Sequence, residues 1–282
     1  MVETTTKLKE IKLENNMVQV IIFKMQNADV TLLEKPMINW VKDATEKFET
    51  KVVEFNSSKT EFEQIKSALN KKPYTMVLYS FCPLLTQKNV ELCLDYVFFK
   101  GEKIIKLPHG YVFETSFFNT LNKFENMPEF SADASEFLKI ETENEIGYAT
   151  EILQRRIIQN LILNGVKFIN PSNVVINAFA CIESGATIYP FNTLSGDTVI
   201  KKDAVLKEGN TIVSSEIGAG TVVANSIIKN STICSNCIIY PFNTILENSF
   251  VGANCVIKSY NKISNAYVGE NTNIESFNNI GK

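Results

Sequence analysis

Residues 176–212 read INAFACIESGATIYPFNTLSGDTVIKKDAVLKEGNTI, with an aliphatic residue at every sixth position: Ile176, Ile182, Ile188, Leu194, Ile200, Leu206 and Ile212. The phase slips through Ile217, Val223, Ile228 and Ile233. It locks again through Ile239, Ile245, Val251, Ile257 and Ile263, then slips to Val268, Ile274 and Ile280. Small and turn-forming residues fill the intervals, among them Gly185, Gly218, Gly220, Gly252, Gly269 and many Asn. A six-residue period fits neither an amphipathic helix nor an alternating strand. It is the period of a hexapeptide parallel β-helix, in which each hexapeptide supplies one short strand and one turn and three close a triangular coil. The aliphatic residue points inward, where stacked coils bury it against its copies. At roughly 18 residues per coil the stretch makes about six coils. Five-residue steps, such as Ile228 to Ile233, mark shortened corners.

Working outward, 282 residues allow a second domain with its own core. Hydrophobic content of 45% and charged content of 21% describe an ordinary soluble protein. A net charge of −3 gives no electrostatic case for nucleic acid or an anionic membrane. No apolar run approaches the roughly 20 residues of a membrane span. The polar start, Met1 to Asn16, does not read as a secretory signal, so a cytoplasmic location is expected. Six Cys at 82, 93, 181, 234, 237 and 255 then read as core thiols. Cys234 and Cys237 form a lone CxxC without the second pair a zinc site needs. Of 28 basic residues only Arg155 and Arg156 are Arg, which leaves few bidentate phosphate clamps. With the abundant Asn and Ile, this balance also suits an AT-rich genome.

The first half alternates strands with helices. MVQVIIF (17–23), KVVEF (51–55) and YTMVLYS (74–80) read as strands. Helices are expected from Pro36, over Lys59 to Lys71 and over Gln87 to Phe98, with a further short strand at Tyr111 to Phe113. Such alternation predicts a parallel sheet covered by helices. Glu145 to Leu163 reads as a long helix stopped by Asn164-Gly165. The expected domains are a polar leader (1–16), an α/β domain (17–144), a linker helix (145–165) and the β-helix (166–282).

Several stretches carry a resemblance. Glu151-Ile-Leu-Gln-Arg-Arg-Ile157, Leu163-Asn-Gly-Val166, Asn170-Pro171 and Ile188-Tyr-Pro190 resemble the domain join of one enzyme family. This is the bacterial bifunctional N-acetylglucosamine-1-phosphate uridyltransferase and glucosamine-1-phosphate acetyltransferase. Glu34-Lys-Pro-Met37, Val77-Leu-Tyr-Ser-Phe-Cys-Pro-Leu-Leu-Thr86 and Tyr111-Val-Phe113 resemble motifs of its first domain. The resemblance implies a shortened Rossmann-like, nucleotidyltransferase-like α/β domain followed by a left-handed parallel β-helix. It also implies trimers packed through the β-helix, and a family chemistry that uses Mg²⁺ and acetyl-CoA.

The departures point away from that chemistry. A nucleotidyltransferase of this type needs a glycine-rich loop after its first strand to hold a triphosphate on backbone N–H groups. Here the strand runs into Phe23-Lys-Met-Gln-Asn-Ala-Asp29 without glycine. The position matching the metal-binding Asp is Phe81, and a phenyl ring cannot ligate Mg²⁺. The second metal ligand aligns with Glu141. About ten residues separate Phe99 from Tyr111, where the family has several tens lining the sugar pocket. The acetyltransferase half needs a His base, yet the one His is His109, in the first domain, and no Arg follows Arg156. Ser276-Phe277 falls where a Ser-His pair is expected, and the chain stops at Lys282, before the coils that complete the acetyl-CoA site.

The expectation is a degenerate relative, non-catalytic and serving binding, regulation or assembly around UDP-N-acetylglucosamine metabolism. The alternative is an enzyme retaining sugar-1-phosphate nucleotidyltransferase or acyltransferase activity at a rearranged site. No catalytic residue, bound metal or cofactor is expected, and Lys35 and Glu141 are the remnant substrate-binding candidates. A homotrimer is expected, with association to an active homologue as a further option. Lys201, Lys202 and Lys207 read as a solvated face or an anion site, and Arg155 and Arg156 as ion-pairing or phosphate-binding. The repeated Tyr-Pro-Phe-Asn-Thr at 189–193 and 240–244 reads either as corner packing or as an aromatic edge for subunit contact.

Overall fold

The computed structural model describes residues 13–124 and 127–281, so most of the expected polar leader lies outside the described residues. The chain forms two compact units, Met1–Leu32 with Pro36–Ala149, and Leu33–Lys35 with Thr150–Lys282.

In the first unit β1 (Val18–Lys24) is buried along almost its whole length. After the short strands β2 (Thr31–Leu32) and β3 (Lys35–Pro36) come α1 (Met37–Ala44) and β4 (Glu49–Glu54). They are followed by α2 (Glu61–Ala68), β5 (Tyr74–Tyr79) and α3 (Gln87–Lys100). A hairpin of β6 (Ile104–Leu107) and β7 (Gly110–Glu114) leads to the single turn α4 (Thr115–Phe118). The sheet order is β4-β1-β5-β7-β6. Val18, Val20 and Ile22 face one apolar cluster, and Ile21 and Phe23 the other. That is why β1 reads as a continuous apolar run rather than an alternating one. Thr60 and Glu63 form a reciprocal capping box at the start of α2, Thr86 caps α3, and left-handed Gly101 ends it.

The expected all-parallel sheet is corrected to a mixed one. β1 pairs parallel with β4 and β5, whereas β7 runs antiparallel to both β5 and β6. The cause is local: Pro108-His109 is too short for a crossover, so β6 and β7 can only return as a hairpin. Gly110 makes the turn possible, because at φ 130° a Cβ there would lie 2.1 Å from the Val77 carbonyl oxygen.

α5 (Glu143–Leu163) runs from the first unit into the second, where Ile158 joins the core of the repeat. The repeat is a parallel β-solenoid of three sheets, with six, seven and seven short strands. Every strand pairs parallel, in register, with its counterpart one coil away, as in Thr193↔Thr211 and Leu194↔Ile212. The inward column from Ile176 to Ile274 is buried throughout. At the corners Asn225, Asn230, Asn236, Asn248, Asn254, Asn265 and Asn271 all have positive φ. Asn tolerates that left-handed geometry better than most side chains, so its abundance answers a backbone demand. A second set of Asn lies inside. The Asn192 side chain accepts from the Asn210 amide, Asn210 from Ser226, and Asn261 from Asn278. This ladder satisfies backbone N–H groups that the tight corners leave without strand partners.

Candidate functional site

β1, β4 and β5 end together at the carboxyl edge of the first sheet, and β1 lies where the strand order switches direction. Open α/β sheets hold ligands at such points. A cleft of about 540 Å³ lies there, lined by Lys24, Gln26, Asn27, Asp29, Glu54 and Glu141 among others. Its one lining cation is already engaged: the Lys24 ammonium lies 3.2 Å from Asp29 and 3.4 Å from Glu54. Hydrogen bonds to Asp29 and Glu54 hold its pKa above the ordinary lysine value. Some of the amides in and after the loop are engaged too. Met25 donates to Ser80 Oγ, Ala28 to the Met25 carbonyl and Val30 to the Asn27 carbonyl. A phosphate entering here would meet three carboxylates, Asp29, Glu54 and Glu141, an unfavourable lining for an anion.

Phe81 follows β5 and is buried. Its ring stacks on Tyr79 at 5.0 Å and 4°, and meets the edge of His109 at 5.2 Å. The Lys139 ammonium sits 5.2 Å from the same ring and 2.8 Å from Glu141. The position that resemblance assigns to Mg²⁺ therefore holds an aromatic stack beside an ammonium. Mg²⁺ needs several oxygen ligands in octahedral array, and Glu141 is spent on Lys139. No group of three His, Cys, Asp or Glu suited to a metal occurs among the described residues. The residues present do not fit the ion. His109 is pushed below its ordinary pKa, first by burial and then by Lys139, and hydrophobic packing against Phe81 accounts for its place.

Sequence reasoning missed a polar cluster beside this stack. The Glu61 carboxylate, in the first turn of α2, accepts from the Tyr79 hydroxyl and, at 3.5 Å, from Tyr111. Burial raises the pKa of Glu61, against the two tyrosine hydrogen bonds. Burial and the carboxylate push Tyr111 up to about 12. No motif marks this cluster, because its members lie 18 and 50 positions from Glu61. The structure brings Glu141 to the cleft. Lys35 does not line it and belongs with the second unit. Its neighbour Glu34 accepts from the Gly196 amide at 2.9 Å.

In the second unit the lysine cluster disperses. Lys201 pairs with Glu183 at 3.3 Å, and the Lys207 ammonium lies 4.3 Å from the Tyr189 ring. Arg155 makes an exposed i,i+4 pair with Glu151 at 2.8 Å, an arrangement worth a few tenths of a kcal/mol, about 0.3–0.5. Phe242 stacks on Tyr260 at 5.1 Å and Tyr260 on Phe277 at 5.0 Å, one ring per coil. Phe191 lies at the same corner but outside that stack, because Gly209 and Asn225 occupy the intervening coils. Cys237 and Cys255 are buried, and Cys181 is exposed.

No family model matches the chain. The Bifunctional protein GlmU of Clostridium novyi (strain NT) is 35% identical over 112 residues, 40% of this chain and 25% of that protein. GlmU of Synechococcus elongatus is 34% identical over 111 residues, 39% of this chain and 25% of that protein. GlmU of Lactobacillus delbrueckii subsp. bulgaricus is 36% identical over 115 residues, 41% of this chain and 24% of that protein. Part of this chain is related to GlmU. The chain spans about a quarter of the length of the GlmU proteins it matches. The acetyltransferase domain of PglB from Neisseria gonorrhoeae FA1090 aligns over 95% of this chain and 94% of that one, at 13% identity and a TM-score of 0.31. A superposition that loose carries no argument. No helix among the described residues is long and apolar enough to cross a membrane.

Proposed function

We propose that the protein is a non-catalytic relative of the sugar-nucleotide transferases, serving binding, regulation or assembly around UDP-N-acetylglucosamine metabolism in the cytoplasm. The observation that carries this reading is the aromatic stack at Phe81. A metal-dependent nucleotidyl transfer needs an ion bridging the leaving phosphates, and a buried ring packed between Tyr79 and His109 leaves that ion no ligands. The carboxylate-rich cleft adds to it, since it repels the triphosphate that the reaction requires. On the acetyltransferase side the second unit contains no His to serve as the base.

Assembly is part of the proposal. A β-solenoid of this kind associates through its sides, and the exposed stack of Phe242, Tyr260 and Phe277 offers a flat aromatic edge for a homotrimer or for an active homologue. The second reading is an enzyme at a rearranged site. The observation in its favour is the surviving cleft at the strand-order switch, with Glu141 still in its wall.

The test incubates the full chain with UTP, Mg²⁺ and N-acetylglucosamine-1-phosphate, and separately with acetyl-CoA and glucosamine-1-phosphate. Neither pyrophosphate nor free CoA is expected above the enzyme-free rate. Turnover in either assay at ordinary enzyme rates, 1 s⁻¹ or more by order of magnitude, overturns the proposal. Light scattering at micromolar concentration checks assembly, and a monomer mass contradicts the trimer.

A further inference from the structure

We draw no further inference here: the strongest candidate, the surface recess of about 490 Å³ on the solenoid where the five-residue steps from Ile212 to Ile217 and from Ile228 to Ile233 set two short corners on adjacent coils, carries nothing, because the amino-sugar that its lining of Asp197, Ser214, Asn230 and Asn248 would suit is the substrate class of the family the chain resembles, and nothing in the structure shows what else covers it.

Discussion

The two units specify their folds in different ways. The second unit is a nearly unbroken repeat: the inward column is aliphatic from Ile176 to Ile274, and each coil pairs in register with the next. The first unit has a mixed sheet with two apolar faces, and its carboxyl edge is formed by unlike residues, Phe81, Lys24 and Glu61, from distant positions. A solenoid core depends on one residue type at one period, so selection for folding alone preserves it. A catalytic edge depends on a few unlike residues from distant positions, and folding does not require them. A regular solenoid beside an edge lined by carboxylates and an aromatic stack is the pattern the proposed non-catalytic reading expects.

Substitutions sharpen that contrast. The largest effect is expected at Phe81. Phe81→Asp restores the residue type that resemblance assigns to the metal, but it empties a buried ring site, a loss of about 3–5 kcal/mol before any cost of the charge. Chemical denaturation reads the loss, and on the proposed reading pyrophosphate assays still show no uridyl transfer, since the stretch after β1 carries no glycine to hold a triphosphate. Activity regained by this one change would break the comparison.

In the second unit Ile228→Ala opens a cavity between stacked coils and costs about 2–5 kcal/mol, measured as a shift of the denaturation midpoint. A cost near zero would mean that the column is not a continuous core. Asn210→Ala removes the amide that donates to Lys207 and Asn192 and the carbonyl that accepts from Ser226. Leaving such buried partners unpaired costs roughly 1–3 kcal/mol.

The smallest effect is at Glu61, and it is one of slope. Burial raises its pKa in the folded state above the ordinary 4.5. The folded state therefore holds this proton more tightly than the unfolded one. The stabilisation is fully present below about pH 4.5 and is lost as pH rises through the folded-state value. Glu61→Gln keeps an acceptor for Tyr79 and should flatten that segment of the stability-against-pH curve. An unchanged slope would place the titration elsewhere.

The second unit was legible because its information is periodic. Six-residue spacing gives the solenoid, the inward column and the number of coils, and the five-residue steps mark the shortened corners. What spacing alone did not disclose was their juxtaposition, since the recess needs two short corners on adjacent coils at the same edge. In the first unit β1, β5 and α3 followed from apolar runs and caps. The antiparallel hairpin did not, because IIKL at 104–107 is too short to read as a strand without its partner. Phe81 could be singled out through its neighbours Pro83-Leu-Leu-Thr86. Its role as part of a stack with Tyr79 and His109 could not, because contacts across 28 residues leave no local signal. Lys35, chosen from a local motif, does not line the cleft, whereas Lys24, on the strand itself, does.

On the proposed reading, the carboxyl edge of the first unit holds no metal–nucleotide pair. Thermal unfolding of the full chain with and without millimolar UTP and Mg²⁺ tests it without relying on turnover. A ligand at 100 times its dissociation constant stabilises a folded protein by about 2.7 kcal/mol, an upward shift of several degrees for a domain of this size. The account predicts coincident unfolding curves. A reproducible upward shift that needs both UTP and Mg²⁺ would contradict it.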